Sequence, residues 1–461
     1  MWNGFHLFLI KISILLIPFI FSVGEKGFFS GAGTNASFYP LLLGSVIWVF
    51  ELIYTRGKVF FPRNKSFKCM MIFIFAIFLS GIVNCSEIHV HEFQGVSGPK
   101  RYFSQFATQV IYLLFAIYIY NILNEQKREV INILKKYILL SFVIAGLYSL
   151  IEIARNIGIE SSAELLYNID SLFRSTNSLS MNIRIRSLTI EASTFGVYAC
   201  LVFPWLICSL IGINKKKRIF FAFAVLYLFI LLLFSISRTA YIDIGVELLV
   251  FVIALRRQIW GRVRQIVVVC FLLSCFIFVV GDNCESLVPD QYADVDIAGV
   301  FLSVTELNGG VHELSNVARF GSQRAALAIW EDNPFFGVGY GCFGFYVNDY
   351  YPNWAWISPE IVEWSSESGA WPPVHGLYAR LLAETGLLGC VLVLMTFFTS
   401  YREILCMISK STGEQKVQLI SFFVCFVSLF MFGFNFDGFS MMPYWIFWGC
   451  LWSYRDGFVN L

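Results

Sequence analysis

Apolar runs close to bilayer-spanning length recur from one end of this chain to the other, and no other feature constrains its fold as much. One helical crossing needs roughly 20 apolar residues. About twelve stretches approach that length: 5–23, 36–54, 69–84, 103–121, 137–154, 192–213, 218–236, 239–256, 265–281, 376–400, 417–436 and 438–454. The third is short, and the turn between the seventh and eighth is tight. Of 461 residues 57% are hydrophobic and 14% charged, with 49 Phe and 12 Trp. A soluble surface needs far more polar residues than that. The expectation is an all-α polytopic membrane protein, with residues 1–461 forming a single integral membrane domain. The first run has no small-residue cleavage site after it and is read as a membrane helix, not a signal peptide. Most of the 12 Cys, such as Cys200, Cys208, Cys270, Cys275, Cys425 and Cys450, lie inside apolar runs, where they act as small hydrophobes. No C-x-x-C spacing occurs.

Charge is sorted by connection. One set holds Arg56, Lys58, Arg63, Lys65 and Lys68, then Lys127, Arg128, Lys135 and Lys136, then Lys215–Arg218. It continues with Arg256, Arg257, Arg262 and Arg264, then Arg402, Lys410, Lys416 and finally Arg455. That is most of the 33 Lys and Arg. The positive-inside rule makes this set cytoplasmic, and an even number of helices puts both termini there. The opposite side carries Cys85–Tyr102, Arg155–Ile190 and a large segment, 282–374, between the ninth and tenth helices. That loop is acidic, and its basic residues are Arg319 and Arg324. A basic residue in such a loop serves either a local ion pair or an anionic ligand such as phosphate. The net charge of +2 points to no particular partner, and nucleic acid is not expected. No internal repeat of the kind transporters show is evident.

The candidate chemistry lies on the loop side. In "NVARFGSQRAALAIWEDNPFFGVGYGCFG" helix is expected from about Arg319 to Glu331. Arg319, Gln323, Ala326 and Trp330 share one face and Arg324 points elsewhere. Gly339, Gly341 and Gly344 match G-x-G-x-x-G, but no strand precedes them; a tight turn explains them better than a nucleotide does. In "NIRIRSLTIEASTF", Arg184 and Arg186 alternate on an extended segment. Glu191 then opens a helix, where a carboxylate is favoured electrostatically, and Ser193 and Thr194 can cap. Arg238 sits in the tight turn; its plain reading is an arginine snorkelling to water. His375 follows Pro372 and Pro373 at the mouth of the tenth helix, where unpaired N–H groups attract anions and hold an imidazole neutral. Arg380 and Glu384 are spaced to pair, nearly opposite His375, and Gly386 and Gly389 allow close packing. Glu87, His89, His91 and Glu92 have a weak metal-like spacing, and Cys284 and Cys342 are candidates for a disulfide. Tyr350, Tyr351, Trp354, Trp356, Trp364 and Trp371 offer surfaces for sugars or for packing of the loop on itself. No carboxylate cluster has Mg²⁺-type spacing, so neither metal nor cofactor is expected.

Taken together, Arg319 ahead of "NPFFGVGYG", the "HGLYARLLAETGLLG" helix start, "IRSLTIEAS" and the "SRTA" turn resemble the O-antigen polymerase and ligase family of bacterial envelope proteins. The resemblance covers the second half of the chain. It implies a GT-C-like glycosyltransferase of the bacterial inner membrane. Such an enzyme joins glycans on the periplasmic face from an undecaprenyl diphosphate-linked saccharide, among membrane lipids and alongside a flippase and a chain-length regulator. By the same resemblance Arg186, Arg238 and Arg319 hold the diphosphate, and His375 is the base or positions the acceptor, with Glu191 the second candidate. Gly376 follows the histidine where ligases often have Asn, and "TIEAS" looks more like polymerases. Polymerase is therefore the expectation, with ligase the alternative and a polysaccharide flippase or permease the rival from another class. The chemistry agrees independently. A diphosphate leaving group needs fixed positive charge, and the attacking hydroxyl needs a proton acceptor.

Overall fold

The computed structural model describes residues 2–20, 34–127, 129–172, 184–212, 215–255 and 311–459. The described residues are helical almost throughout. In chain order the helices are α1 (Trp2–Leu15), α2 (Phe38–Thr55), α3 (Lys65–Val83), α4 (Cys85–Val90), α5 (Gly98–Leu123), α6 (Val130–Asn156), α7 (Glu160–Asp170), α8 (Ala192–Gly212), α9 (Lys215–Ser235) and α10 (Arg238–Leu255). After 311 come α11 (Val311–Asp332), α12 (Val347–Tyr350), α13 (Pro359–Trp364), α14 (Leu377–Lys410), α15 (Gly413–Phe432) and α16 (Met442–Val459). A two-stranded antiparallel hairpin, β1 (Glu92–Phe93) and β2 (Val96–Ser97), joins α4 to α5.

Among the described residues, eight helices are long and apolar enough to cross a bilayer: α2, α3, α5, α6, α8, α9, α14 and α15. The expected spans at the N-terminus, at 239–256 and at 438–454 correspond to α1, α10 and α16. The first is shorter, α10 carries three charged residues (Arg238, Asp243 and Glu247), and α16 is less apolar, with three Trp, two Tyr, Arg455 and Asp456. The chain is an all-α, multi-pass membrane protein. The expected span at 265–281 and the first part of the 282–374 loop lie outside the described residues, as does Cys284. α14 packs on α3, α16 on α5, and α8 on α9 and α15. Trp445, Trp448, Trp452 and Tyr444 are buried at the centre. There Phe439 meets Trp445 and Trp448 edge-on, with ring centroids 6.1 and 5.9 Å apart.

One boundary differs from the sequence expectation because of a partner far away in sequence. α3 begins at Lys65, ahead of the expected short run, because the Glu403 carboxylate accepts from the Lys65 and Ser66 N–H groups (2.9 and 3.3 Å) and from the Ser66 hydroxyl (2.8 Å). It thereby satisfies donors that every helix start leaves open. α11, described from Val311, extends ahead of Arg319, and Asn316, Val317 and Ala318 within it are buried.

Candidate active site

The expected tenth helix is not continuous. α14 is broken at Gly386, whose φ of 64° and ψ of −166° are open to glycine alone among the standard residues. A break inside an apolar span strands backbone groups that lipid cannot satisfy. The segment after α11 satisfies them. Val338 and Gly339 N–H donate to the Ala383 and Glu384 carbonyls (2.9 and 3.0 Å), and Leu387 N–H donates to Pro334 O (2.8 Å). From α3, the Ser80 hydroxyl donates to Phe336 O (2.7 Å) and to Glu384 O (3.1 Å), and Asn84 Nδ2 donates to Gly337 O (2.9 Å). The backbones approach so closely that a Cβ on Gly337 would sit 2.4 Å from the Glu384 carbonyl carbon. A Cβ on Gly386 would sit 2.3 Å from Phe335. The glycine-rich run therefore closes a helix break. Gly386, expected to serve helix packing, supplies the break itself.

This docking sets α11 beside the mouth of α14. Gln323, one turn beyond Arg319, donates from Nε2 to His375 O (2.8 Å). Gly376 makes room for it, since a Cβ there would lie 3.1 Å from that nitrogen. His375 itself holds a φ of 58°, a left-handed conformation that costs a β-carbon-bearing residue energy and collects at functional sites. Its ring tilts on Trp364 at 5.3 Å. Its Nε2 is buried without a hydrogen-bond partner among the described residues. Burial, with the Arg319 charge adding to it and Asp437 opposing, lowers its pKa to about 4, so the imidazole is neutral. Arg319 is half-buried and makes no hydrogen bond or ion pair among the described residues. Glu360 of α13 stands close enough for their charges to interact. Burial raises the Glu360 pKa, Arg319 lowers it, and Glu363 and then Glu191 raise it further. Arg324, by contrast, is exposed and paired with Glu331 at 2.8 Å, the local ion pair expected of a plain surface arginine.

The segment that carries Arg186 forms a second edge of the site. The extended segment runs along the turn between α9 and α10: Ile185 N–H donates to Phe234 O (3.0 Å), and Arg184 donates to Ser235 O and Ile236 O (2.9 and 2.7 Å). Arg186 pairs with Asp170 of α7 at 2.9 Å, and both side chains are mostly buried. Arg238 begins α10; its side chain lies outside the described residues. Glu191 precedes α8, exposed, and its carboxylate accepts from the Ser193 hydroxyl. Through its effect on Glu360 it belongs to the neighbourhood of Arg319. His91 of the metal-like run meets Tyr346 edge-on, with ring centroids 4.6 Å apart.

Sequence reasoning missed a third group. A cavity of about 310 Å³ is walled by Arg101, Gln105, Gln109, Tyr340, Glu384 and Asp437, with Arg380 and Trp371–Val374 completing it. Arg380 pairs with Glu384 at 2.9 Å, as its spacing predicts, and also donates to Asp437 O (3.0 Å) and Gln105 Oε1 (3.3 Å). Asp437 accepts from Val374 N–H (2.9 Å), pinning the strand that leads to His375. The signal was present: Arg101, Gln105, Thr108, Gln109 and Tyr112 fall at helical spacing on one face of an otherwise apolar helix.

Residues 223–394 match a family model described as O-antigen ligase. No curated protein matches the chain. The matched segment begins within α9 and ends within α14, so it holds the turn of Arg238, the docked helix of Arg319, His375 and the break at Gly386. Over that segment, a little more than a third of its length, the chain is similar to the O-antigen ligase family.

Proposed function

We propose that the protein is a glycosyltransferase that polymerises surface-polysaccharide repeat units from a lipid diphosphate-linked saccharide. The site lies at the loop end of the helices, on the periplasmic face of a bacterial inner membrane. The observation that carries this reading is the corner of α11 and α14. A half-buried arginine that makes no hydrogen bond or ion pair among the described residues stands beside a neutral imidazole whose Nε2 has no partner among them. The two lack complementary things, an anion and a proton donor. A saccharide diphosphate supplies the first and an attacking sugar hydroxyl the second. Arg319, with Arg186 and Arg238 at the neighbouring edge, neutralises charge on the departing diphosphate. Arginine suits that role because it stays charged and binds phosphate through two parallel N–H groups. His375 Nε2 accepts the hydroxyl proton as the new glycosidic bond forms. The orientation follows from the lysine- and arginine-rich connections, which place Arg56–Lys68 and Lys215–Arg218 on the cytoplasmic side. Ligation of the finished glycan to its final acceptor is the second reading, favoured by the description of the matching family model.

Deletion of the gene separates the two. A polymerase leaves single repeat units attached to the final carrier; a ligase leaves glycan unattached. Complementation with Arg319→Ala should restore nothing, and Arg319→Lys little, because the two-point contact is lost. Arg324→Ala, which removes an exposed pair, should complement at matched protein level. Full complementation by Arg319→Ala would remove the diphosphate site.

A further inference from the structure

The cavity between α5, α14 and Asp437 has no part in the proposal above. We propose that it is a saccharide subsite seating one uncharged sugar ring of the glycan being joined, so its substrate class rests on the transferase reading. Its volume, about 310 Å³, lies at the lower end of the roughly 300–1,000 Å³ of ligand pockets, which suits a single ring.

The wall is balanced in charge. Arg101 and Arg380 face Glu384 and Asp437. A diphosphate entering it would meet two carboxylates, whereas a hydroxyl can donate to a carboxylate and accept from a guanidinium at once. Spare hydrogen-bonding capacity is distributed in the same way. Gln109 is 2% exposed; its Oε1 accepts from the Tyr340 hydroxyl (3.1 Å), which leaves Nε2 as a buried donor with no partner among the described residues. Buried donors are seldom left unmade, and one in a cavity wall points to a missing acceptor. Arg101 uses only Nε, donating to Gly341 O (3.2 Å), while its guanidinium stacks on Trp371 at 4.1 Å. Its two Nη groups have no partner among the described residues. Asp437 uses Oδ2 on Val374 and keeps Oδ1 as an acceptor. Donors and acceptors thus alternate around a small space, as vicinal hydroxyls require. Trp371–Val374 is both a wall of the cavity and the strand that ends at His375.

The test is saturation-transfer NMR on the full-length protein in lipid nanodiscs, with glucose, galactose and N-acetylglucosamine as neutral probes and glucuronate and inorganic pyrophosphate as anionic ones. At least one neutral sugar should bind. Gln109→Leu, Arg101→Gln and the isosteric Gln109→Glu should each weaken it about tenfold or more. Arg319→Ala should leave sugar binding unchanged and abolish the pyrophosphate signal. Neutral-sugar binding that survives in folded Gln109→Glu overturns the subsite. So does an anion signal that only Arg101→Gln removes. The two proposals fail separately. Sugar binding in a protein that transfers no glycan refutes the transferase, and transfer unaffected by the Gln109 variants refutes the subsite.

Discussion

At the scale of single residues, the corner depends on keeping His375 neutral. Burial and the Arg319 charge set its pKa near 4, against about 6.5 for a free imidazole. A folded state that binds a proton less readily than the unfolded chain loses stability on acidification. The contribution is whole above about pH 6.5 and falls away as pH drops toward 4. The acid limb of the transfer rate should follow the same group: activity should persist through pH 6.5 and fail only nearer 4. An acid limb centred on 6.5 would show an ordinary, solvated histidine. Substitution separates chemistry from positioning. His375→Ala should lose about 10² to 10⁴-fold in rate, with membrane protein level unchanged and donor binding largely kept. His375→Gln keeps a polar side chain but no comparable base and should fare little better. Strong rescue by Gln would reduce His375 to a positioning residue and make Glu191 the leading base.

At the scale of elements, the broken α14 is the part the sequence conceals. Apolar length is visible residue by residue, so the helices are legible. A break is legible only through its partners, and Pro334–Gly339 and Ser80 lie far from Gly386 in the chain. The start of α3 was hidden in the same way, being set by Glu403. The polar face of α5 was legible in principle, but Arg101 and Gln109 sit beside Lys100 and Thr108 in a mostly apolar helix, and only the spacing sets them on one face. The spacing of Arg380 and Glu384 was read correctly, yet nothing local shows that their pair walls a cavity. Gly386→Ala tests the break. The new side chain meets the Phe335 backbone at 2.3 Å in a conformation only glycine tolerates. The expected cost is at least about 1–3 kcal/mol from the backbone conformation alone. A sharp fall in thermal stability, with loss of transfer, should follow. A variant as stable and active as the parent would mean that α14 is continuous.

At the scale of the whole molecule, the site occupies one end of the helices and the lysine-rich connections the other. Two exposed cysteines report on this directly. Cys85 opens α4, next to Asn84, which holds the docked loop; Cys406 lies near the far end of α14. In a background without the other cysteines, a membrane-impermeant maleimide added from the periplasmic side should label Cys85 at once. Cys406 should react only after the membrane is opened. Labelling of Cys406 from the periplasm would invert the topology and, with it, the functional proposal.

The break in α14 also bears on how the protein is made. A nascent helix with a gap at Gly386 would carry open carbonyls into the bilayer if it emerged alone. It does not emerge alone, because both elements that close the gap come earlier in the chain: Ser80 and Asn84 in and just after α3, and Pro334–Gly339 immediately after α11. By the time the ribosome reaches Gly386, the receptor for the interrupted helix has already been synthesised, and α14 can complete its backbone pairing as it arrives.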